Sequence, residues 1–346
     1  ETNSFFGTHL IRLFTLCGNL LDAQRIFSQL HEQSEFSWSA IISAHAALGK
    51  EEKAIELFRQ MKMSEFRCDG HVFVAVLKAC GSGDFLQQGE VIHNDILESS
   101  FDSVLHVANA VMDMYFKCKR IVDGLHVFDR LWNKDIVTWN TVMSGYVHNN
   151  SCEKALELFQ CMQDEGMTPN IVSWNTIISG HAQDGKMHEA LRLFGEMKKQ
   201  GIEPNTVTWN ALIVGYAEQG LCEDALNVYQ KMQEQGKSPD YVTFLCILRS
   251  FCKRQTLEEE VQVEALPIVE SSSASDNLNK SSFITIAKEV FARLQKRPVE
   301  AWNAMIAACA ELSASFEALQ QFDKMQHEGV RPNNVTFATI LKATSS

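Results

Sequence analysis

Ile136-Val137-Thr138-Trp139-Asn140, Ile171-Val172-Ser173-Trp174-Asn175 and Thr206-Val207-Thr208-Trp209-Asn210 are three near-copies of one string, each starting 35 residues after the one before. Behind each string the apolar residues recur at i, i+3, i+4 and i+7. They are Trp139, Val142, Met143 and Tyr146, then Trp174, Ile177, Ile178 and His181 in that phase, then Trp209, Leu212, Ile213 and Tyr216. Such spacing lines one face of an amphipathic helix. A second stripe follows in step, with Ala155, Leu158, Phe159 and Met162 repeated as Ala190, Leu193, Phe194 and Met197 and as Ala225, Val228, Tyr229 and Met232. Each period therefore holds two helices. Its end is marked as well: Gly166 and Pro169, Gly201 and Pro204, Gly236 and Pro239, and Gly329 and Pro332 each set a helix-stopping glycine three residues before a proline.

Working outward, Trp38 and Trp302 sit in the same context, and Trp38 lies 101 residues before Trp139, a gap that two units of 35 and one of 31 fill. A fixed period of this size marks a repeat array, in which a hairpin unable to bury its own apolar faces stacks on its neighbours. No period-two alternation competes with it. The expected fold class is all-α, a solenoid of helix-turn-helix repeats.

Composition agrees with a folded chain. Of 346 residues, 45% are hydrophobic and 21% charged, too apolar for a mainly disordered protein. Lys plus Arg number 31 against 43 Asp plus Glu, a net charge of -12, which disfavours a broad polyanion binder with a basic surface. The ten cysteines are scattered without a C-x-x-C pair, as expected in a reducing compartment. No run of about 18 apolar residues occurs, so no membrane-spanning helix and no membrane partner are expected. The chain begins at Glu1 inside a helical unit and ends at Ser346 inside another, as expected of a piece of a longer protein whose targeting segment lies elsewhere.

The Trp-Asn strings, each closing about 30 residues later in Pro-Asn or Pro-Asp, resemble pentatricopeptide repeats, and the mix of 35- and 31-residue units is similar to the plant subclass with alternating long and short repeats. The resemblance covers nearly the whole chain and implies a right-handed superhelix. In that register the units run 4–34, 35–69, 70–104, 105–135, 136–170, 171–205 and 206–240. The pattern degrades over 241–298, where 267–282 is rich in Ser and Asn and reads as a flexible loop or a decayed first helix. A further unit and a truncated next one occupy 299–346.

Repeats of this family read one RNA base each with two or three side chains. The resemblance implies that the fifth and the last residue of a unit bond a base edge and that the second packs on the base plane. Carried over, Ser39 with Asp69 implies guanine, Asn109 with Asp135 uracil, Asn140 with Asn170 and Asn175 with Asn205 pyrimidines, Asn210 with Asp240 uracil, and Asn303 with Asn333 a pyrimidine. The implied target is single-stranded 5′-G-x-U-Y-Y-U-x-x-Y. Phe36, Val137, Val172, Val207 and Val242 hold the packing position, whereas Glu300 puts an anion there. Lys117 and Lys253 occupy the position that family members use for phosphate, and few other basic residues do. Against all this stands a simpler account, in which the asparagines satisfy nearby backbone groups and the closing Asn or Asp only leads into the next helix.

The tryptophans align with the apolar stripe and are expected between repeats, as are Met162, Met197, Met232 and Met325. His45, His148 and His181 lie one to a unit and cannot share a metal. No H-x-E with a downstream C-x-x-C, phosphate-binding glycine loop, nucleophile elbow or H-E-x-x-H occurs, so no catalytic residue, metal, cofactor or small-molecule substrate is expected. The resemblance implies an RNA-binding specificity module in a mitochondrion or chloroplast, most readily for C-to-U editing by an attached or recruited deaminase or other editing cofactors. RNA stabilisation or translation without editing is the alternative within that class. A protein-binding scaffold like tetratricopeptide repeats, which the acidic charge suits, is the alternative outside it.

Overall fold

The computed structural model describes residues 2–30, 32–64, 66–81, 85–248, 284–285, 287–294, 296–311 and 314–345. Among them every regular element is helical. The hairpins are α1 (Thr2–Leu16) with α2 (Leu20–Gln29), α3 (Glu35–Ala47) with α4 (Glu51–Met63), α5 (Gly70–Cys80) with α6 (Leu86–Glu98), and α7 (Leu105–Lys117) with α8 (Ile121–Arg130). They continue as α9 (Ile136–His148) with α10 (Cys152–Asp164), α11 (Ile171–Gln183) with α12 (Met187–Lys199), and α13 (Thr206–Glu218) with α14 (Cys222–Glu234). After helical residues 241–248 and 287–292 come α15 (Val299–Glu311), α16 (Ser315–His327) and α17 (Asn334–Ser345). First helices start at 2, 35, 70, 105, 136, 171, 206, 299 and 334. Residues 267–282 and Lys253 lie outside the described residues.

The chain divides into two compact units, Glu1–Thr176 and Ile177–Ser346. In the first, the opening helices α1, α3, α5, α7 and α9 each pack on the next, while every second helix packs on its own partner or on the opening helix that follows. In the second, α13 packs on α12 and α14, and α15 on α16 and α17. Each is therefore a stack of hairpins, the all-α solenoid expected.

What joins one hairpin to the next is an aromatic pair. In the first unit Phe27 meets Trp38, Phe128 meets Trp139 and Phe159 meets Trp174, edge to face, with ring centres 4.8, 5.1 and 4.8 Å apart. In the second, Phe194 meets Trp209 at 4.9 Å and Phe291 meets Trp302 at 4.6 Å. The hairpin at 70–104 carries Phe73 in place of tryptophan, against Phe58. Each pair contributes roughly 0.5–1.5 kcal/mol beyond its buried area. All five tryptophans are at most 4% exposed and their indole N–H groups bond nothing, so they serve as apolar core. Met162, Met197, Met232 and Met325 are buried outright, and Trp132, the one outside the pattern, is fully exposed.

The helix stops have one geometry. Gly201 has φ 78°, its N–H bonds Lys198 O at 3.0 Å, and Ile202 N bonds Met197 O at 3.1 Å, closing the helix with a left-handed residue. Gly166, Gly236 and Gly329 do the same, each with a core methionine supplying the outer carbonyl. Inside the hairpins the left-handed residue is Gly18, Gly49, Gly185 or Gly220, and Lys119 or Asn150 where no glycine is present.

Candidate nucleic-acid interface

The residue that closes each unit is the N-cap of the next opening helix. Asp69, Asp135, Asn170, Asn205, Asp240 and Asn333 each accept the backbone N–H of the residue three further on through Oδ1, at 2.8 to 3.0 Å. This satisfies a helix-end donor that would otherwise go unpaired. The simpler account of these residues is therefore correct as far as it goes. Among the described residues no hydrogen bond takes up the outer atom of Asp69, Asp135, Asn170, Asp240 or Asn333, so at these five, with Oδ1 bound to backbone in both residue types, an exchange of Asn for Asp changes only whether an amide donor or a carboxylate acceptor is left over.

One turn into each opening helix sits the fifth residue. Ser39, Asn109, Asn140, Asn210 and Asn303 are 6–9% exposed. Three meet their closing residues directly: Nδ2 of Asn140 lies 3.4 Å from Asn170 Oδ1, that of Asn210 2.9 Å from Asp240 Oδ1, and that of Asn303 3.1 Å from Asn333 Oδ1. Among the described residues no hydrogen bond joins Ser39 to Asp69 or Asn109 to Asp135. Asn175 lies in the first compact unit and Asn205 in the second, where Asn205 caps α13.

The second residues are the opposite, apolar and exposed. Phe36 is 68% exposed, Val137 54%, Val172 52%, Val207 55% and Val242 47%. An exposed β-branched side chain at the start of a helix has no packing role there, since its helical face points away from the core. Val335, at the same step of α17, is 58% exposed and belongs with them. Two more were missed: His71 and His106 hold the second position in consecutive units, with ring centres 5.9 Å apart. Their register alone would have found them. Glu300 is exposed at this position.

Lys117 is tied to Asp113 at 2.7 Å, four residues back on the same helix, so its charge is largely balanced. His45 and His181 are buried and donate Nδ1–H to Ile41 O and Ile177 O, both at 2.9 Å. They are structural groups, and burial holds the His45 pKa below its ordinary value. Among the described residues no group of three or more His, Cys, Asp or Glu is placed to hold a metal.

Fold and surface define a helical-hairpin repeat protein, in several of whose repeats the opening helix presents a polar pair or an exposed apolar side chain near its start. The chain belongs to the PPR repeat family: that model matches residues 134–172, 169–208, 204–253 and 297–346, and the PPR repeat model matches 36–66. Among relatives, a chloroplastic pentatricopeptide repeat-containing protein of Arabidopsis thaliana is 36% identical over 49% of this chain and 33% of its own length. A second from Arabidopsis thaliana is 25% identical over 97% of this chain and 38% of its own. A mitochondrial one from the same plant is 34% identical over 49% of this chain and 27% of its own. The chain thus spans well under half the length of these relatives. Among solved structures, maize PPR10 superposes with a TM-score of 0.54 at 20% identity, over 98% of this chain and 46% of that one, a likeness of fold.

Proposed function

We propose that this chain is a sequence-specific single-stranded RNA-binding module that reads one base per repeat, with 5′-G-x-U-Y-Y-U-x-x-Y as its target, and that it serves organellar RNA processing, C-to-U editing foremost. One observation carries the proposal: in the units at 136–170 and 206–240 a buried polar fifth residue is hydrogen-bonded to a closing Asn or Asp, and an exposed valine holds the second position of the same helix. Hydrogen-bond donors and acceptors flanked by an apolar wedge are what a splayed-out base needs on its edge and its face. A protein-binding scaffold has no use for a polar pair beside an exposed valine recurring at the start of its opening helices. The organelle is argued from relatives described as chloroplastic and mitochondrial. A deaminase or editing cofactor would act with this chain, which on its own reads the sequence.

The acidic net charge of -12 speaks for the scaffold alternative, and one experiment separates the two. The nine-nucleotide RNA and a scrambled RNA of the same composition are titrated by fluorescence anisotropy. The proposal expects the target to bind at least about tenfold more tightly, the sum of a few base-edge hydrogen bonds. Equal binding, or none to either RNA, would favour the scaffold.

A further inference from the structure

Asn210 and Asn303 share an arrangement that Asn109 and Asn140 lack. Thr243 Oγ1 lies 2.6 Å from Asn210 Oδ1, and Thr336 Oγ1 lies 2.6 Å from Asn303 Oδ1. Each threonine is the third residue of the following repeat and is wholly buried. Its oxygen already accepts the backbone N–H of the closing residue, Asp240 at 3.1 Å and Asn333 at 3.0 Å. A hydroxyl has one hydrogen to give. It goes to the asparagine at 2.6 Å rather than to the closing Oδ1 at 2.9 Å in Asp240 or 3.0 Å in Asn333. Both amides are thereby held with the carbonyl inward and the NH2 outward. In the repeat at 136–170, Ser173 Oγ bonds Asn170 Oδ1 at 3.2 Å, and Asn140 Oδ1 is buried without a partner. At 105–135, Thr138 Oγ1 bonds Asp135 Oδ1 at 2.8 Å, and Asn109 Oδ1 likewise has none.

We infer that Thr336 is a positioning residue that makes the Asn303–Asn333 pair selective for cytosine, while the unclamped Asn140–Asn170 pair accepts both pyrimidines. The inference rests on the base-reading role proposed above and adds a determinant outside the pair. Asn333 Oδ1 is taken up by Thr336 N and Asn303 Nδ2, at 3.0 and 3.1 Å, so Asn333 offers only its NH2. Asn303, with its carbonyl clamped, offers only its second N–H. Two donors side by side match cytosine, whose N3 and O2 are adjacent acceptors. They oppose uracil, whose N3 carries a hydrogen. Asn170 is also committed through Oδ1, to Val172 N at 2.9 Å and Ser173 N at 3.0 Å, but Asn140 can turn over at the loss of one 3.4 Å contact. Turned over, it gives an acceptor beside a donor, which suits uracil. Asn210 needs its threonine less, because the Asp240 carboxylate by itself keeps the amide NH2 turned toward it.

The test measures dissociation constants by anisotropy for RNAs that differ only by C or U at the ninth base, opposite 299–333, at the fourth, opposite 136–170, or at the sixth, opposite 206–240. The wild-type chain should prefer C by about tenfold at the ninth base, show no more than about a twofold preference at the fourth, and prefer U at the sixth. Thr336→Val should erase the ninth-base preference and leave the sixth untouched, an internal control for folding. Thr243→Val should keep the sixth-base preference within about twofold. Preference for U at the sixth base with indifference at the ninth in wild type, or a ninth-base preference that survives Thr336→Val, would overturn the inference alone. Indifference at all three bases would overturn the base-reading role with it.

Discussion

A closing Asn or Asp caps the next helix with an atom that both residues have. Its Oδ1 accepts a backbone N–H at the helix start, so the residue can switch between amide and acid at no cost to the cap. The asparagines at 140, 210 and 303 were legible as candidates because asparagine has a low propensity inside a helix, where each of them lies a turn past the cap. The hydroxyls bonded to Asn210 and Asn303 were not, since Thr243 and Thr336 lie 33 residues further along and have the same spelling as Thr138, whose hydroxyl turns elsewhere. At this scale the structural histidines also carry a prediction. Burial lowers the His45 pKa, against the Ile41 hydrogen bond, which raises it, while nearby Lys53 lowers it further. A folded-state pKa below the unfolded one means stability that is present above about pH 6.5 and lost as pH falls toward the folded value. Thermal unfolding followed from about pH 7.5 down to about pH 5.5 should show the midpoint falling, and His45→Gln should flatten that fall. An unchanged slope in the variant would remove His45 from the cause.

At the scale of the element, the ends are what specify the hairpin. The glycine and proline phases marked where α10, α12 and α14 end and the tryptophan phase where α9, α11 and α13 begin, while the turn inside each hairpin was not read. The tighter unit was legible only as missing residues. The structure places the loss in the second helix: α8 runs ten residues where α10 and α14 run thirteen. The partner of each tryptophan was not legible either, because a phenylalanine in the apolar stripe of a second helix looks like any other core residue until the next repeat is stacked on it. Gly201 offers a clean test of the stop. A Cβ there would meet nothing within 4 Å, so Gly201→Ala costs only the left-handed backbone conformation, about 1–2 kcal/mol in urea unfolding. Lys119, at φ 60°, should answer with the opposite sign, and by less, when replaced by glycine, since a flexible residue also raises the entropy of the unfolded chain. Gly201→Ala without effect would mean the stop is set by the proline that follows it.

Across the whole chain, the proposed recognition groups recur from repeat to repeat while the net charge does not favour RNA. With a net charge of -12 and Lys117 already paired to Asp113, the proposed RNA binding is expected to draw little of its affinity from phosphate neutralisation. Each released counterion contributes about -0.7 to the slope of log K against log salt for a single strand. The slope for the nine-nucleotide RNA is therefore expected to be no steeper than about -2, and a much steeper one would move recognition from base edges to phosphates. The central claim, that each repeat reads its own base, is tested most directly by a compensating exchange. Asn210→Thr, beside Asp240, is measured against RNAs with uracil or guanine at the sixth base. The account predicts that wild type prefers uracil there and the variant guanine, with the other eight bases read as before. An unchanged preference for uracil in a folded variant would contradict it.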